Sequence, residues 1–325
     1  MANSVKTYPR NRDLTAGTGI APHLVQLAES DPGEEADIGI RGALSTTDFA
    51  IKVDLKMVSA SVNSEVFFLG GHDLEMVTIR ELLKDRRVEH YDAGLHWGAK
   101  ASAYAEALRI EAERGRTLVF VELELDIELP ASADVVLIDH HGPLAGRDQP
   151  SALEQVARRI GIDSAEFAGN RWWQLVAAND RGHVRTMRSL DPPATDAEVR
   201  LVRQRDLMAQ GVADDELAAA RAQAAEATQL ANGRLTVARC PTNRTGLVAE
   251  MMEPFFGGAG YENLLVIGHS QVGFYGQGSC VSRLAQLSPP AASWYGGSLP
   301  EYGFWGAKTD SLEFDPEQRL IEWLE

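Results

Sequence analysis

ADVVLIDHHG, residues 133–142, is the most informative segment of this sequence. Its apolar run has the length of a buried β-strand, and it passes directly into Asp139, His140, His141 and a glycine. In open α/β sheets, ligands bind at the carboxyl ends of the strands. The segment therefore predicts a strand whose end carries polar side chains into a site.

Strand-like and helix-like segments alternate on both sides of this strand. Alternating or continuous apolar runs predict strands at 49–62, 64–71 and 117–125. Apolar residues at helical spacing predict helices at 74–85, 97–115, 151–162 and 171–184. Ser151 is a candidate N-cap, and the last of these helices is expected to end near Asn179. This order predicts an α/β lobe with a mostly parallel sheet.

The carboxyl-terminal half predicts a helical linker and a second lobe. Residues 196–232 have the composition of one or two helices, and the remaining strand and helix patterns lie at 235–241, 244–256, 263–270 and 271–279. The fold class we expect is α/β, with a smaller α/β carboxyl-terminal lobe. The expected boundaries are a flexible extension at 1–45, an amino-terminal lobe at 46–195, the linker at 196–233 and the second lobe at 234–325.

Composition limits the classes of partner. The chain has 31 Lys and Arg against 47 Asp and Glu, a net charge of −16 that repels long duplex nucleic acid but not a small anion in a neutralised pocket. The alternative explanation is that the negative charge only keeps the protein soluble. Two cysteines do not make a disulfide framework, and no apolar run approaches the roughly 18 residues of a membrane span. We expect a cytoplasmic protein without a membrane partner, and a homodimer stays open.

Acidic and imidazole side chains cluster where four segments end. They are His72, Asp73 and Glu75; Glu122, Glu124 and Asp126; Asp139, His140 and His141; and Asp180. Each group has an ordinary explanation, such as a helix N-cap for Asp73 or a turn for Asp180. Together they have the chemistry of a centre in which two divalent cations about 3.5–4 Å apart clamp a phosphate. Mixed oxygen and imidazole ligands suit Mn²⁺ or Mg²⁺.

This ordered series resembles the DHH phosphoesterase superfamily. IDHHG at 138–142 is similar to its name-giving motif and AANDRG at 177–182 to its later aspartate motif. VFFLGGHDLEM at 66–76 sits where its first strand and metal-binding loop would fall. The second lobe resembles the DHH-associated domain, with YGQGSCVSRLA as its Ser-Arg-containing strand and WYGGSLPEYGFWGA as its glycine-rich loop. The resemblance covers roughly residues 60–310.

The resemblance implies a role for each matching residue. The implied metal ligands are His72, Asp73, Glu75, Glu124, His140 and Asp180. His141 would face the phosphate or leaving group, and Asp139 would orient the motif. Arg283, Gly296 and Gly297 would hold the substrate from the second lobe. Which of Glu122, Glu124 and Asp126 is a ligand stays open.

The resemblance implies a hydrolase that uses Mn²⁺ or Mg²⁺, two ions per site, and water that the metal activates. Because of the net charge, we expect a small phosphodiester or phosphoanhydride as substrate, with a short oligonucleotide or cyclic dinucleotide preferred. The first motif is compressed and carries Glu75. Residues 121–124, which sit where the family's second aspartate motif would fall, carry Glu122 and Glu124 in place of Asp. These departures support one alternative, a catalytically degenerate protein that senses a phosphorylated ligand. Aromatic residues at 294–305 either stack a base or pack beneath the lobe.

Overall fold

Residues 64–325 are described by a computed structural model. The predicted extension at 1–45 and the strand predicted at 49–62 lie outside the described residues. All described residues belong to one compact unit, within which the two predicted lobes contact each other.

The amino-terminal lobe is built on a four-stranded parallel sheet of order β2-β1-β3-β4. Its strands are β1 (Glu65–Leu69), β2 (His90–Tyr91), β3 (Thr117–Val121) and β4 (Asp134–Ile138). The last residues of three strands lie side by side, since Leu69 pairs with Val121 and Val121 pairs with Ile138. The residues that follow these strands consequently emerge at one edge of the sheet.

Successive apolar side chains of β1 and β3 point to opposite faces of the sheet, so the sheet is covered by a layer on each face. Phe67 and Val119 belong to a core on one face, while Phe68 and Phe120 belong to a core on the other. Helices of the first layer are α1 (Leu74–Asp85), α3 (Ala152–Arg159), α5 (Arg171–Arg188) and α6 (Asp196–Ala209). The second layer contains α2 (Ala105–Glu113), and a short α4 (Ser164–Gly169) precedes α5.

Three helix boundaries bear on the sequence prediction. The helix predicted at 97–115 begins later, with a 3₁₀ turn at Ala101–Tyr104, because Lys100 forms a β-bridge with Glu124. Helix α5 runs past Asn179 to Arg188, with an interruption at Gly182 and His183. Helix α3 begins as predicted, since Ser151 and Glu154 form a capping box.

The carboxyl-terminal lobe is built on a mixed six-stranded sheet of order β5-β6-β7-β8-β10-β9. Its strands are β5 (Thr228–Leu230), β6 (Leu235–Arg239), β7 (Leu264–Ile267), β8 (Gln271–Gln277), β9 (Ser293–Gly296) and β10 (Tyr302–Lys308). Its helices are α7 (Asp214–Ala225), α8 (Thr245–Met252), α9 (Gly278–Leu287) and α10 (Pro316–Leu324). Of the two linker helices, α6 packs on the amino-terminal core and α7 on the carboxyl-terminal core.

The predicted α/β class with two lobes is confirmed, and one element is corrected. The segment with Ser282 and Arg283 is helix α9 and not a strand, because Cys280, Val281 and Leu284 form an apolar stripe at helical spacing that packs on the sheet. Among the described residues, no helix combines the length and the apolarity that crossing a bilayer requires.

Candidate metal centre

The centre lies at the shared edge of the parallel sheet, and Glu122 enters it directly after β3. Glu122 has a left-handed backbone with φ 50°, and its amide donates to the carbonyl of Ile138 at 2.8 Å. Gly70 makes this turn fit, since a Cβ at that position would lie 2.1 Å from the carbonyl oxygen of Glu122. The sheet edge therefore fixes the direction of the Glu122 side chain.

His140 and His141 follow β4 and are held by Asp139. One carboxylate oxygen of Asp139 accepts from the amides of His140 and His141 and also lies 2.9 Å from Nδ1 of His141. A carboxylate that bonds one ring nitrogen of a histidine fixes the ring and leaves the other nitrogen for the site. Gln155 of helix α3 adds a bond from its Nε2 to the carbonyl of Asp139 at 3.0 Å, so the motif is held by its own carboxylate and by a neighbouring helix.

Helix α1 contributes two acids from its first turn. Asp73 is the N-cap and accepts from the amide of Met76 at 2.8 Å. Glu75 is 2% exposed, and its Oε1 accepts from the amide of Leu153 at 2.9 Å. Because Oε1 is occupied in this way, Oε2 is the oxygen that faces the centre.

Asp180 comes from helix α5, just before its interruption. The backbone leaves the helical conformation at Gly182, and His183 has a φ of 51° and a ψ of −135°. A positive φ is rare for a residue with a side chain and costs free energy that the surroundings must supply. The interruption turns His183 towards the same small cavity that Asp180, Asp73 and Glu75 line.

Four ligand atoms converge in this space. From Nε2 of His140, the distances are 2.6 Å to Oδ2 of Asp180, 3.2 Å to Oε1 of Glu122 and 3.9 Å to Oε2 of Glu75. All four atoms lie within 4.8 Å of one another. A cation with bonds of about 2.1 Å has neighbouring ligand atoms roughly 3 Å apart, and the three distances from Nε2 of His140 lie on both sides of that value. Glu122, His140 and His141 form a second, overlapping group.

The same four atoms have no hydrogen-bond partner of acceptable geometry. They make up four of the five such buried side-chain atoms in the described part of the chain. A buried polar atom without a partner costs about 1–3 kcal/mol, and more when it is charged, so four together need a common partner. A divalent cation satisfies all of them, and the donor set of three carboxylates and one imidazole suits Mn²⁺.

The pKa values of the cluster indicate that it has too little positive charge for its carboxylates. Burial raises the pKa of Glu75 well above its usual range, and the charges of Asp180 and Glu122 raise it further. Asp73 has a raised pKa for the same reasons. Burial lowers the pKa of His140, but the surrounding carboxylates, with Asp180 foremost, outweigh burial and raise it to about 12. All three shifts favour the protonated form, which offsets the repulsion between the carboxylates.

Two cavities border the centre. The first, of about 710 Å³, lies between the lobes and is lined by Asp180 and His183 with Tyr261, Tyr302 and Phe304. The second, of about 680 Å³, is lined by Glu122, Asp139 and His141 with Trp294 and Tyr295. The cavities have no lining residue in common, so they are separate spaces that meet at the metal centre. Both are large enough for a small organic ligand.

The remaining predicted site residues lie around this centre or away from it. His72 is bonded through its amide to the carbonyl of Leu95 and is not among the four converging residues. Glu124 is well exposed and pairs with Lys100 at 3.5 Å on the rim of the second cavity. The guanidinium of Arg283, an exposed residue, lies 4.4 Å from the ring of Trp323.

The glycine loop does reach the centre. A Cβ on Gly296 would lie 3.2 Å from Cδ2 of His141, so only glycine lets this strand approach the histidine so closely. Gly297 lines the first cavity. Of the five predicted aromatic residues, Tyr302 and Phe304 face the first cavity, Trp294 and Tyr295 face the second, and Trp305 is core.

Of the three acids that the sequence left open as ligands, Glu122 is the one that lies with Glu75, His140 and Asp180 in the converging group. Period-two spacing gives Glu122, Glu124 and Asp126 the same face of an ideal strand. The strand ends at Val121, so that spacing does not apply. One signal was present, since Glu122 is the first residue after an apolar run, as Asp139 is after β4.

No protein-family model matches this chain, and no curated protein does. Among solved structures, RecJ from Thermus thermophilus in complex with Mn²⁺ is 11% identical with a TM-score of 0.41, over 83% of this chain and 53% of that chain. Exonuclease RecJ bound to manganese is 11% identical with a TM-score of 0.37, over 80% and 90%. The DHH domain of a member of the s1p family of ribosomal proteins is 12% identical with a TM-score of 0.43, over 80% and 85%.

This chain spans about half the length of the Thermus protein. Because all of these TM-scores lie under 0.5, no activity or ligand of those proteins is transferred to this chain.

Proposed function

We propose that this chain is a divalent-metal-dependent phosphoesterase that hydrolyses a small phosphodiester or phosphoanhydride. The observation that carries the proposal is the convergence of four buried ligand atoms from Glu75, Glu122, His140 and Asp180, which contact one another but make no hydrogen bond of acceptable geometry. They come from four segments of the chain that are distant in sequence. Such a convergence is costly in itself, and a bound cation removes that cost.

A divalent cation in such a site neutralises phosphate oxygens and lowers the pKa of a water molecule. Four residues would hold it, and the nearby Asp73 carries a further negative charge into the same cavity. His141 is placed for proton transfer. Its Nδ1 lies 2.9 Å from Asp139, which raises the pKa of His141 against the lowering effect of burial. Its Nε2 is then the atom that gives a proton to the leaving oxygen.

The two cavities support a substrate with a group on each side of the reacting phosphorus. One cavity begins at Asp180 and the other at His141, and each has aromatic side chains in its wall. Aromatic side chains stack nucleic-acid bases. A pyrophosphate or phosphate monoester would leave at least one cavity empty. A dinucleotide, linear or cyclic, fills both, and we prefer it as the substrate.

The test is a hydrolysis assay on the metal-free protein after addition of Mn²⁺, with a linear dinucleotide, a cyclic dinucleotide and pyrophosphate as substrates. We expect release of mononucleotide from a dinucleotide and at least a roughly 100-fold loss of rate in His140→Ala and Glu122→Gln, since each removes a ligand. Asp126→Asn is the control. Asp126 lies on the same segment as Glu122, but it accepts from Ser102 at an exposed position.

Each outcome has a distinct meaning. A wild-type protein that binds Mn²⁺ and a dinucleotide without turnover is the sensor of the alternative hypothesis. A protein that hydrolyses pyrophosphate in preference to dinucleotides keeps the metal chemistry but contradicts the two-cavity substrate. Full activity of His140→Ala removes the proposal altogether.

A further inference from the structure

A buried arginine that borders the first cavity joins the two lobes. Arg203 of helix α6 is 3% exposed, and its Nε and Nη2 donate to the two carboxylate oxygens of Glu250 at 2.9 and 2.8 Å. Glu250 lies on helix α8 of the carboxyl-terminal lobe and is 4% exposed. A bidentate pair of this kind fixes orientation as well as distance, because both planar groups must align.

The remaining donor of Arg203 is directed to the amino-terminal lobe. Its Nη1 donates to Oδ1 of Asn179 at 2.9 Å and to Oδ2 of Asp206 at 2.6 Å. Asn179 also donates to the same oxygen of Asp206 at 3.3 Å. The three side chains form one closed, fully buried set of hydrogen bonds.

These hydrogen bonds also hold the two segments that carry Asp180 and the acids of helix α1. Asn179 precedes Asp180 in the chain, so the bonds that hold its side chain also hold the helical turn that presents Asp180. Oδ1 of Asp206 accepts from the amide of Leu74 at 3.1 Å, and Leu74 stands between Asp73 and Glu75. One arginine thus connects the second lobe to the first-motif acids and to the helix of Asp180.

We propose that Arg203 is a positioning residue that makes the metal affinity of the centre depend on the seating of the carboxyl-terminal lobe, through Glu250. This proposal rests on the metal centre proposed above. The lobe that closes the first cavity is then also the lobe that completes the ligand geometry. Outer groups that orient metal ligands typically change metal affinity by about 10–100-fold when they are lost.

The experiment measures Mn²⁺ binding to the full chain, by the loss of the free-ion electron paramagnetic resonance signal, and needs no substrate. Glu250→Gln keeps the side-chain volume and one acceptor oxygen. It loses the negative charge and one of the two hydrogen bonds from Arg203. Arg203→Lys keeps the charge but cannot make the fork. We expect each variant to weaken Mn²⁺ binding by about tenfold or more.

Glu198→Gln is the matched control. Glu198 forms a bidentate pair with Arg171, at 2.9 and 3.2 Å, which joins the same two helices α5 and α6 at the end distant from the lobe contact. Its Mn²⁺ affinity should stay within about twofold of wild type, because a partly exposed pair contributes little. Thermal midpoints are measured in parallel for all variants.

The outcomes separate this inference from the proposed metal centre. Wild-type protein without Mn²⁺ binding refutes the centre itself. Wild-type binding that Glu250→Gln leaves unchanged, with only a lower thermal midpoint, overturns the positioning role alone and leaves Arg203 as a structural residue. If Arg203→Lys does not fold, Glu250→Gln still decides the question.

Discussion

Replacing Glu75 by Gln should stabilise the metal-free protein and abolish its stabilisation by Mn²⁺. Gln keeps the carbonyl oxygen that accepts from Leu153, so the packing of helix α1 on α3 is retained. The atom that changes is Oε2, which becomes an amide nitrogen. That nitrogen can donate to the carboxylates of Asp180 and Glu122, whereas an ionised Oε2 repels them.

The magnitude follows from the spacing of the charges. The ligand atoms of Asp180 and Glu122 lie within 4.8 Å of Oε2, and each unit charge at about that distance repels it by roughly 3–4 kcal/mol at an effective dielectric constant near 20. The charge of His140, at 3.9 Å, offsets about one of these two. Glu75 escapes part of the remainder by taking up a proton, because its pKa is raised. We therefore expect a net gain of about 1–3 kcal/mol for Gln, or roughly 2–4 °C per kcal/mol in the thermal midpoint.

Mn²⁺ should stabilise wild type much more than Glu75→Gln. A ligand at a hundred times its dissociation constant stabilises the folded state by about 2.7 kcal/mol. Wild type should gain this amount, whereas Glu75→Gln lacks one ligand charge and should gain little. The assay is thermal unfolding in EDTA and again in excess Mn²⁺, for both proteins.

Glu250→Gln is the comparison, because it should change the stability of the metal-free protein in the opposite direction. Both glutamates are almost fully buried, at 2% and 4% exposed, but Glu250 is paired with Arg203 and Glu75 has no cationic side chain of Lys or Arg against it among the described residues. The same substitution should therefore destabilise the metal-free protein at 250, since it leaves a buried guanidinium short of charge. Equal stabilisation of wild type and Glu75→Gln by Mn²⁺ would refute the assignment of Glu75 as a ligand. A lower midpoint of Glu75→Gln in EDTA would refute the repulsion.

Two further predictions concern His140 and the glycine loop. Because the pKa of His140 is raised from 6.5 to about 12 in the metal-free protein, its proton contributes stability that is complete below pH 6.5 and is lost as the pH rises through about 12. Mn²⁺ must displace this proton, so calorimetric titrations between about pH 6.5 and 8.5 should give an affinity that rises about tenfold per pH unit, and a flat profile would contradict the assignment. Gly296→Ala should lower kcat for a dinucleotide about 10–100-fold, because its Cβ would lie 2.8 Å from the ring of Phe304 and 3.2 Å from His141. Gly169→Ala, where a Cβ meets nothing within 4 Å, is the control, and equal kcat values would show that the loop does not hold His141.

The fold was predictable because local signals and burial agree in most elements. Strands β1 and β3 are short apolar runs that end in polar residues or glycine, and helix α1 matches its predicted bounds of 74–85. The errors occur where a local pattern admits two structures. Residues 278–287 follow a strand and contain glycine and serine at their start, which fits a turn and a strand as well as a helix. Packing on the sheet selected the helix.

The site was predictable in its segments and less so in its residues. Register along the parallel sheet brings the ends of β1, β3 and β4 together, and that follows from strand order alone. The choice between Glu122 and Glu124 depends on a left-handed backbone at one residue, which no periodicity encodes. The role of Arg203 was equally hidden, because its partners Asn179 and Glu250 lie 24 and 47 residues away in sequence.

The charge of the centre connects its chemistry to the architecture of the chain. Asp73, Glu75, Glu122 and Asp180 place four carboxylates in or beside one small buried cavity, and no lysine or arginine side chain among the described residues forms an ion pair with any of them. Arg203, a buried cation in this region, is already committed to Asp206 and Glu250. It therefore neutralises Asp206 and Glu250. The four carboxylates of the centre have no lysine or arginine partner among the described residues. A chain that uses its buried arginine in this way retains the acids for a cation from solution, and the same arginine makes their arrangement depend on the lobe that closes the cavity.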